Sequence, residues 1–449
     1  MIELLYILTQ IILLSANFFL ILFFIYSIVE RENIAVKRTI PGIVLFGSIL
    51  LINSIGIFPN WIQILIIISC IIILQVIVIP FGNKIIEYKI PEKKYDERDI
   101  MFSRMELKEG TNRFTNYYNK NSGNKAKDDL FRKEPGLLSP DSVFYNPLLF
   151  NAAKATFSVV DLLQSLVENK VLEDAVDNIQ SKQISEFLKN WTIKLGAVDV
   201  GFTEIKPHHT YSHVGRGENY GKEVTLDHKY AIAFTVEMNH ESLSYTPKGP
   251  IIMESAQQYL IAGTIAVQVA QFIRNLGFEA RAHIDANYRL ICPVVAQDAG
   301  LGTIGRMGLL MTPKLGTRVR VGVITTNLEL DINKKPIDST VIQFCEICKK
   351  CAANCPSQAI SFNRGDKDGV QNPWKISHEK CFTYWCKVGT DCGRCITVCP
   401  YSHPNNFIHN IIRWMIKRNS VNRWLALKMD DYFYGKKPPL QSLKSWMNP

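Results

Sequence analysis

The chain has 449 residues, 47% of them hydrophobic, and a formal net charge of +10. That length allows a membrane segment together with one large domain or two smaller ones. The charge is modest, and no basic block alternates with aromatic residues, which excludes a nucleic-acid groove as the reading of the surplus. A membrane surface or an acidic electron donor fits it better.

Residues 4–29 and 39–83 carry no charge at all. The first run is long enough to cross a bilayer as a helix. The second region divides at Phe58–Trp61 into two further runs, each about one span long. Three transmembrane helices are therefore predicted over 1–83. A cleaved signal peptide is not, because the first run is too long, lacks preceding basic residues and is followed by two more spans. Arg31, Lys37 and Arg38 lie in the first loop, and Lys84, Lys89, Lys93 and Lys94 follow the third run. The N-terminal tip and the second loop have no Lys or Arg. The positive-inside rule then predicts a multi-pass protein of the inner, cytoplasmic membrane, with everything after residue 82 in the cytoplasm.

Residues 84–138 are polar and charged and read as a linker. From about Ser139 the pattern becomes globular. Leu172–Gly196 has helical spacing and ends at a glycine. Tyr230–Met238 reads as a buried strand. Glu254–Gly277 reads as an amphipathic helix with Ser255 and Gln258 as capping box. Ile261, Ile265, Val269, Phe272 and Leu276 form its apolar stripe, and Gly277 stops it. "YRLICPVVA", with Cys292, and "RVRVGVITT" read as strands. Helices and strands mix without an even repeat, which predicts an α+β core over 139–335. A basic C-terminal helical extension over 404–449 closes the sequence.

Nine of the eleven cysteines fall between Cys345 and Cys399. Cytoplasmic thiols stay reduced, so disulfides explain them poorly. Cys345, Cys348, Cys351 and Cys355 precede Pro356; Cys392, Cys395 and Cys399 precede Pro400, with Cys381 upstream. This is the run of two-cluster bacterial ferredoxins. Three thiolates on a tight loop grip one cubane, and the fourth lies past the turn and reaches the other cluster. The predicted sets are Cys345, Cys348 and Cys351 with Cys399, and Cys392, Cys395 and Cys381 with Cys355. Structural zinc fits two copies of this motif badly. Cys386 is an alternative to Cys381, because "CFTYWC" offers both. A ferredoxin-like module with two 4Fe–4S clusters is thus predicted over 336–403. Cys70 and Cys292 read as buried apolar residues.

"GLGTIG", with Gly300, Gly302 and Gly305, matches the dinucleotide fingerprint literally and follows a predicted strand. Pro313 cuts the following segment short, so a Rossmann site is the weaker reading. The alternatives are close backbone approach to another large ligand or a tight turn with none.

Together, "YAIAFTVEM", "ESAQQYLIAG", "FIRNLGFEARAH", "VAQDAGLGTIGRMGLLMTPKLGTRVRV", "FCEICKKCAANCPSQAI", "HEKCFTYW", "GTDCGRCITVCPYS" and "DDYFYGKKP" occur in an order that resembles the cobalamin-dependent reductive dehalogenases. The resemblance runs from about residue 140 to 440 and is densest over 230–402. It implies a base-off corrinoid in a core similar to the nitroreductase fold, beside the two-cluster module, and reductive removal of halide from a small organohalide. The absence of an Asp-x-His-x-x-Gly motif is in keeping with the base-off mode. The resemblance also implies that Tyr259 is the proton donor, that Asn287 and Arg320 are polar pocket residues, and that Gly300, Gly302, Gly305 and Arg306 lie near the corrinoid. Thr303 and Ile304 depart from the family's more usual "GLGELGR". The three spans also depart from members that use a twin-arginine signal and a separate anchor.

In this reading a ferredoxin, flavodoxin or quinol feeds electrons through the clusters to cobalt, and Tyr259 supplies a proton. Arg320 would stabilise the phenolate and ease donation from a group whose ordinary pKa is about 10. Tyr245 is the reserve donor, and Arg306 and Arg318 are rivals to Arg320. Packing alone would also explain Tyr259, a turn would explain Asn287, and a solvated loop would explain His208, His209 and His213. Two other functions remain open: an epoxyqueuosine reductase-like enzyme acting on tRNA, and a membrane-tethered electron carrier without catalysis.

Overall fold

Each of the three uncharged runs forms one helix in the computed structural model: α1 (Ile2–Val29), α2 (Asn33–Ser54) and α3 (Asn60–Val78). The structure describes residues 2–85, 94–171, 174–176, 178–332, 337–364 and 374–448. Lys89, Lys93 and the predicted helix start at Leu172 lie outside them. At about 1.5 Å per residue, even the 19-residue α3 is roughly 28 Å long, close to the thickness of a bilayer core. Several polar side chains buried within the spans return to their own backbone, which satisfies them in an apolar solvent. The Thr9 hydroxyl donates to the Leu5 carbonyl at 2.9 Å, Asn17 Nδ2 to Leu13 at 2.9 Å, and Ser27 to Phe23 at 2.8 Å.

The chain divides into two compact units, 1–85 with 404–438 and 86–403 with 439–449. In the first, the helices Phe407–Arg418 and Ser420–Phe433 pack against the spans and one another.

The second unit is built on a four-stranded antiparallel sheet in the order β1 (Asp199–Glu204), β2 (Tyr230–Glu237), β6 (Val319–Thr326), β3 (Ala280–His283). The apolar run of β2 is continuous because both of its faces are covered. Ile232, Phe234 and Val236 meet the helix Pro250–Asn275, while Ala231 and Ala233 meet Val295 and Ala296 of the helix Cys292–Asp298. The predicted stripe is seated on the first of these faces: Ile265 and Val269 are buried, with Ile261, Phe272 and Leu276 packed against them. Gly277, at φ +84°, ends the helix.

Several expectations change. The long helix begins at Pro250, so Ser255 and Gln258 lie inside it and cap nothing. "YRLICPVVA" contributes a helix starting at Cys292, not a strand; Pro293 opens its first turn, where a missing N–H costs nothing. No strand therefore leads into the glycine loop. The helix predicted over 172–196 occupies Ser181–Lys194.

Within 84–138, read as linker, Asn112–Lys120 and Ser122–Arg132 are helices. Buried Arg104 ties them down: it grips Asp128, which also accepts from Tyr118 at 2.6 Å, and it reaches Glu379 at 3.2 Å. The polar composition here combines this buried ion-pair network with an exposed outer face.

Candidate active site and cluster module

The cysteine loops bend at residues in the left-handed region. Lys349 (φ +56°) lies between Cys348 and Cys351, and Gly393 (φ +66°) lies between Cys392 and Cys395. Each turn leads into a short helix, Lys350–Ala353 and Arg394–Thr397. The same bend thus swings three thiols inward in both motifs. Cys345, Cys348, Cys351 and Cys399 line one cavity, together with Arg306, Met311 and Phe344. The remaining four thiols act on one another as a second group. Burial pushes the Cys395 thiol well up, and neighbouring Cys392, Cys381 and Cys355 add to the effect. Cys381 is likewise pushed up to about 12, by burial first and then by Cys355. Cys386 instead packs with Met101, Phe131 and Phe382. Both sets offer the four soft sulfur donors that a cubane takes.

The glycine loop leads into a hairpin of β4 (Thr303–Ile304) and β5 (Leu310–Met311). A Cβ on Gly302 would lie 2.3 Å from the Met311 carbonyl oxygen, and one on Gly305 would lie 2.3 Å from Met311 Sδ and 3.6 Å from Cys345 Sγ. The glycines thus let the hairpin close against the first cysteine set. Gly300, at φ +78°, turns the chain after the helix Cys292–Asp298. Arg306, fully buried, donates to the carbonyls of Cys345 (2.6 Å), Ser361 (2.8 Å) and Phe362 (2.8 Å) and lies over Trp374. These four residues belong to the cluster module, so Arg306 braces that module.

Tyr259 and Arg320 are brought together. The guanidinium lies over the tyrosine ring, 4.5 Å from its centroid, and Nη1 is 3.4 Å from the hydroxyl. Arg320 Nη2 donates to Ser255 Oγ at 2.5 Å and to Asp391 Oδ2 at 2.9 Å, and the Ser255 hydroxyl also donates to Asp391. Ser255 precedes Tyr259 by one helical turn, which puts both on the same face. Asp391 directly precedes Cys392, so this network runs from the helix to the second cysteine set. Among the described residues, Arg320 Nε and Asp391 Oδ1 are buried without a hydrogen-bond partner, which suits a wall facing a polar ligand.

Arg320 is the largest influence on Tyr259 and pulls its pKa down, but burial and the carboxylates of Asp285 and Asp391 outweigh it. The phenol is held above its ordinary value, although Arg320 itself acts in the expected direction. Asn287 does not join the network: its side-chain oxygen accepts from Arg281 Nη2 at 2.7 Å. Ser255 and Asp391 were missed. Ser255 looked like a cap, and Asp391 meets Arg320 only through tertiary folding.

The rival residues have other partners. Arg318 donates to the Ser402 carbonyl at 2.8 Å and to Glu237 at 2.8 Å. The Tyr245 hydroxyl donates to Glu241 at 3.1 Å. His208 and His209 are buried, not solvated, and face Asp298 at 3.5 and 3.1 Å. Lys206 Nζ reaches the same carboxylate at 2.5 Å, and the Lys206 backbone N–H donates to His209 Nδ1. These interactions assign a donating Nε2 to neutral His209 and hold Asp298 well below the usual carboxylate range, against the upward push of burial.

Residues 344–403 match a family model described as a 4Fe-4S dicluster domain. The tetrachloroethene reductive dehalogenase of Sulfurospirillum multivorans is 35% identical over 210 residues, which are 45% of this chain and 41% of that one. A solved catabolic reductive dehalogenase in complex with 3-bromo-4-hydroxybenzoic acid superposes with a TM-score of 0.64 at 23% identity, over 80% of this chain and 49% of the other. A second solved reductive dehalogenase, whose structure suggested a mechanism for B12-dependent dehalogenation, gives 0.60 at 25% identity over 70% and 46%. An epoxyqueuosine reductase of Lactococcus garvieae is 28% identical over only 28% of this chain and 35% of its own. The chain thus spans less than half the length of the dehalogenases it matches. Sequence and fold agree in their direction: over the matched part, the chain is similar to the reductive dehalogenases.

Proposed function

We propose that this protein is a membrane-anchored, cobalamin-dependent oxidoreductase that removes halide from a small organohalide. The observation that carries this reading is the Tyr259–Arg320–Ser255–Asp391 network beside the second cysteine set. Cys345, Cys348, Cys351 and Cys399 hold one 4Fe–4S cluster, and Cys355, Cys381, Cys392 and Cys395 hold the other. Bound cobalamin supplies the redox-active metal at which a carbon–halogen bond is reductively broken. In sum, the organohalide, two electrons and one proton give the hydrocarbon and halide. Tyr259 holds that proton on its hydroxyl. Arg320 fixes the ring by lying over it and bonding its oxygen, and Asp391 and Ser255 fix Arg320. The relatives named as dehalogenases support the substrate class.

Membrane lipid is the partner of α1–α3, and the catalytic unit faces the cytoplasm. Electrons come from a ferredoxin, a flavodoxin or a quinol. Anaerobic purification with metal analysis and a halide-release assay tests the proposal. About one cobalt and about eight iron per chain are expected, with halide released in step with reductant consumed. Iron without cobalt binding would reduce the protein to an electron carrier. Turnover of a tRNA substrate and of no organohalide would make it an epoxyqueuosine reductase-like enzyme.

A further inference from the structure

The C-terminal helices of the membrane unit present an outward aromatic face among the described residues. On Phe407–Arg418, Phe407, Ile411, Trp414 and Arg418 recur at helical spacing on one side, while Ile408, His409, Met415 and Ile416 are buried on the other. On Ser420–Phe433 the outward residues are Val421, Trp424, Lys428 and Tyr432, opposite buried Asn422, Ala426 and Asp430. Phe407 is 60% exposed and Trp424 is 55% exposed, values that soluble surfaces seldom give a whole aromatic stripe. A cation accompanies each indole: Arg418 lies 4.5 Å from the Trp414 ring centroid and Lys428 lies 5.9 Å from that of Trp424.

The inner face fixes the level at which this stripe sits. Asn419 Nδ2 donates to the carbonyls of Val76 (2.7 Å) and Ile79 (2.9 Å), and Asn422 Nδ2 donates to Ile77 (2.8 Å). Arg423 donates to the Gly82 carbonyl at 3.0 Å and to Asn83 Oδ1 at 2.8 Å. His409 meets the Glu30 carboxylate just past α1, and Arg38 near the start of α2 lies against Tyr432. The two helices therefore grip all three spans at one end, where the apolar chain gives way to polar chain. Over 404–438 there are seven Lys and Arg against two Asp.

We propose that Phe407–Arg418 and Ser420–Phe433 lie in the headgroup layer of an anionic bilayer, with Phe407, Trp414, Trp424 and Tyr432 seated among the acyl ends. Arg418 and Lys428 meet lipid phosphates. The inference rests on reading α1–α3 as spans. Aromatic rings with basic residues beside them are the composition that a membrane interface selects, and the basic surplus matches acidic lipid. This assigns the exposed stripe to lipid, not to a protein partner.

The test uses the full chain in nanodiscs whose phosphatidylglycerol carries bromine at shallow acyl positions, which quenches only nearby indoles. Trp61, at the start of α3 and 62% exposed, reports on the spans independently. W414F/W424F is expected to lose one component of lipid quenching and W61F another. Phosphatidylcholine discs should weaken the first component about twofold or more, and R418Q/K428Q should erase that lipid preference. Quenching that disappears wholly with W61F and survives unchanged in W414F/W424F would overturn the interfacial placement while leaving the spans intact. No quenching at all would overturn the spans and this placement with them. Equal quenching in both lipids would overturn the preference for acidic headgroups.

Discussion

Tyr259 is arranged to keep its proton until a strongly basic partner appears. Its pKa is raised, so a step that needs the protonated phenol runs undiminished through neutral pH and fails as pH climbs past that raised value. The alkaline limb of the halide-release profile should therefore lie above about 10, the ordinary tyrosine value. Asp391 contributes to the upward push and Arg320 opposes it, so D391N should bring the limb down. A limb near neutrality would show that another group donates. Y259F should lower kcat by about 10²–10⁴-fold, the usual worth of a positioned acid, while cluster spectra remain unchanged. The two neighbouring cysteines of "CFTYWC" give a second test at this scale. C381S should remove about half of the iron, because it strips a ligand from one of two four-thiol sets. C386S should leave iron unchanged, because that thiol packs among Met101, Phe131 and Phe382. Equal losses from both variants would refute the assignment.

At the scale of elements, the glycine loop shows why a motif needs its context. "GLGTIG" has the letters of a phosphate cradle, yet a helix precedes it and a two-residue strand, Thr303–Ile304, lies within it. Gly302 is required because the Met311 backbone occupies the space a side chain would fill. G302A must displace backbone, not a flexible side-chain end, so the hairpin that carries Met311 toward Cys345 should shift. Reduced iron at the first cysteine set and a thermal midpoint lower by several degrees are expected, by EPR and a melting scan. Unchanged values would mean that the hairpin yields freely. Elements with a local signal were legible: the apolar runs of α1–α3, the stripe from Ile261 to Leu276 and the spacing of the cysteines. Those settled by long-range contact were not. A short apolar run such as "YRLICPVVA" reads equally as strand or buried helix. The ion pairs that hold Arg104 and Asp128 leave no trace in hydropathy. Ser255 and Asp391 are 136 residues apart, and no spacing rule joins them to Arg320.

At the scale of the molecule, three apolar helices of span length and a separately folded cluster-bearing unit predict an integral membrane protein. Alkaline carbonate washing of isolated membranes should leave the chain in the pellet, and release into the supernatant would contradict the spans. The proposed orientation exposes the second unit to protease only in inverted vesicles, and digestion in intact spheroplasts would reverse it.

The bonds between Asn419 and the end of α3 join residues 340 positions apart. At about 5–20 residues per second, a ribosome needs roughly 17–68 s to bridge that gap. The third span leaves the ribosome long before the side chains that cap its final carbonyls have been made. For that interval, water or lipid headgroups must satisfy those carbonyls. The capped end of α3 is thus completed only after the chain has reached Asn419 and Asn422.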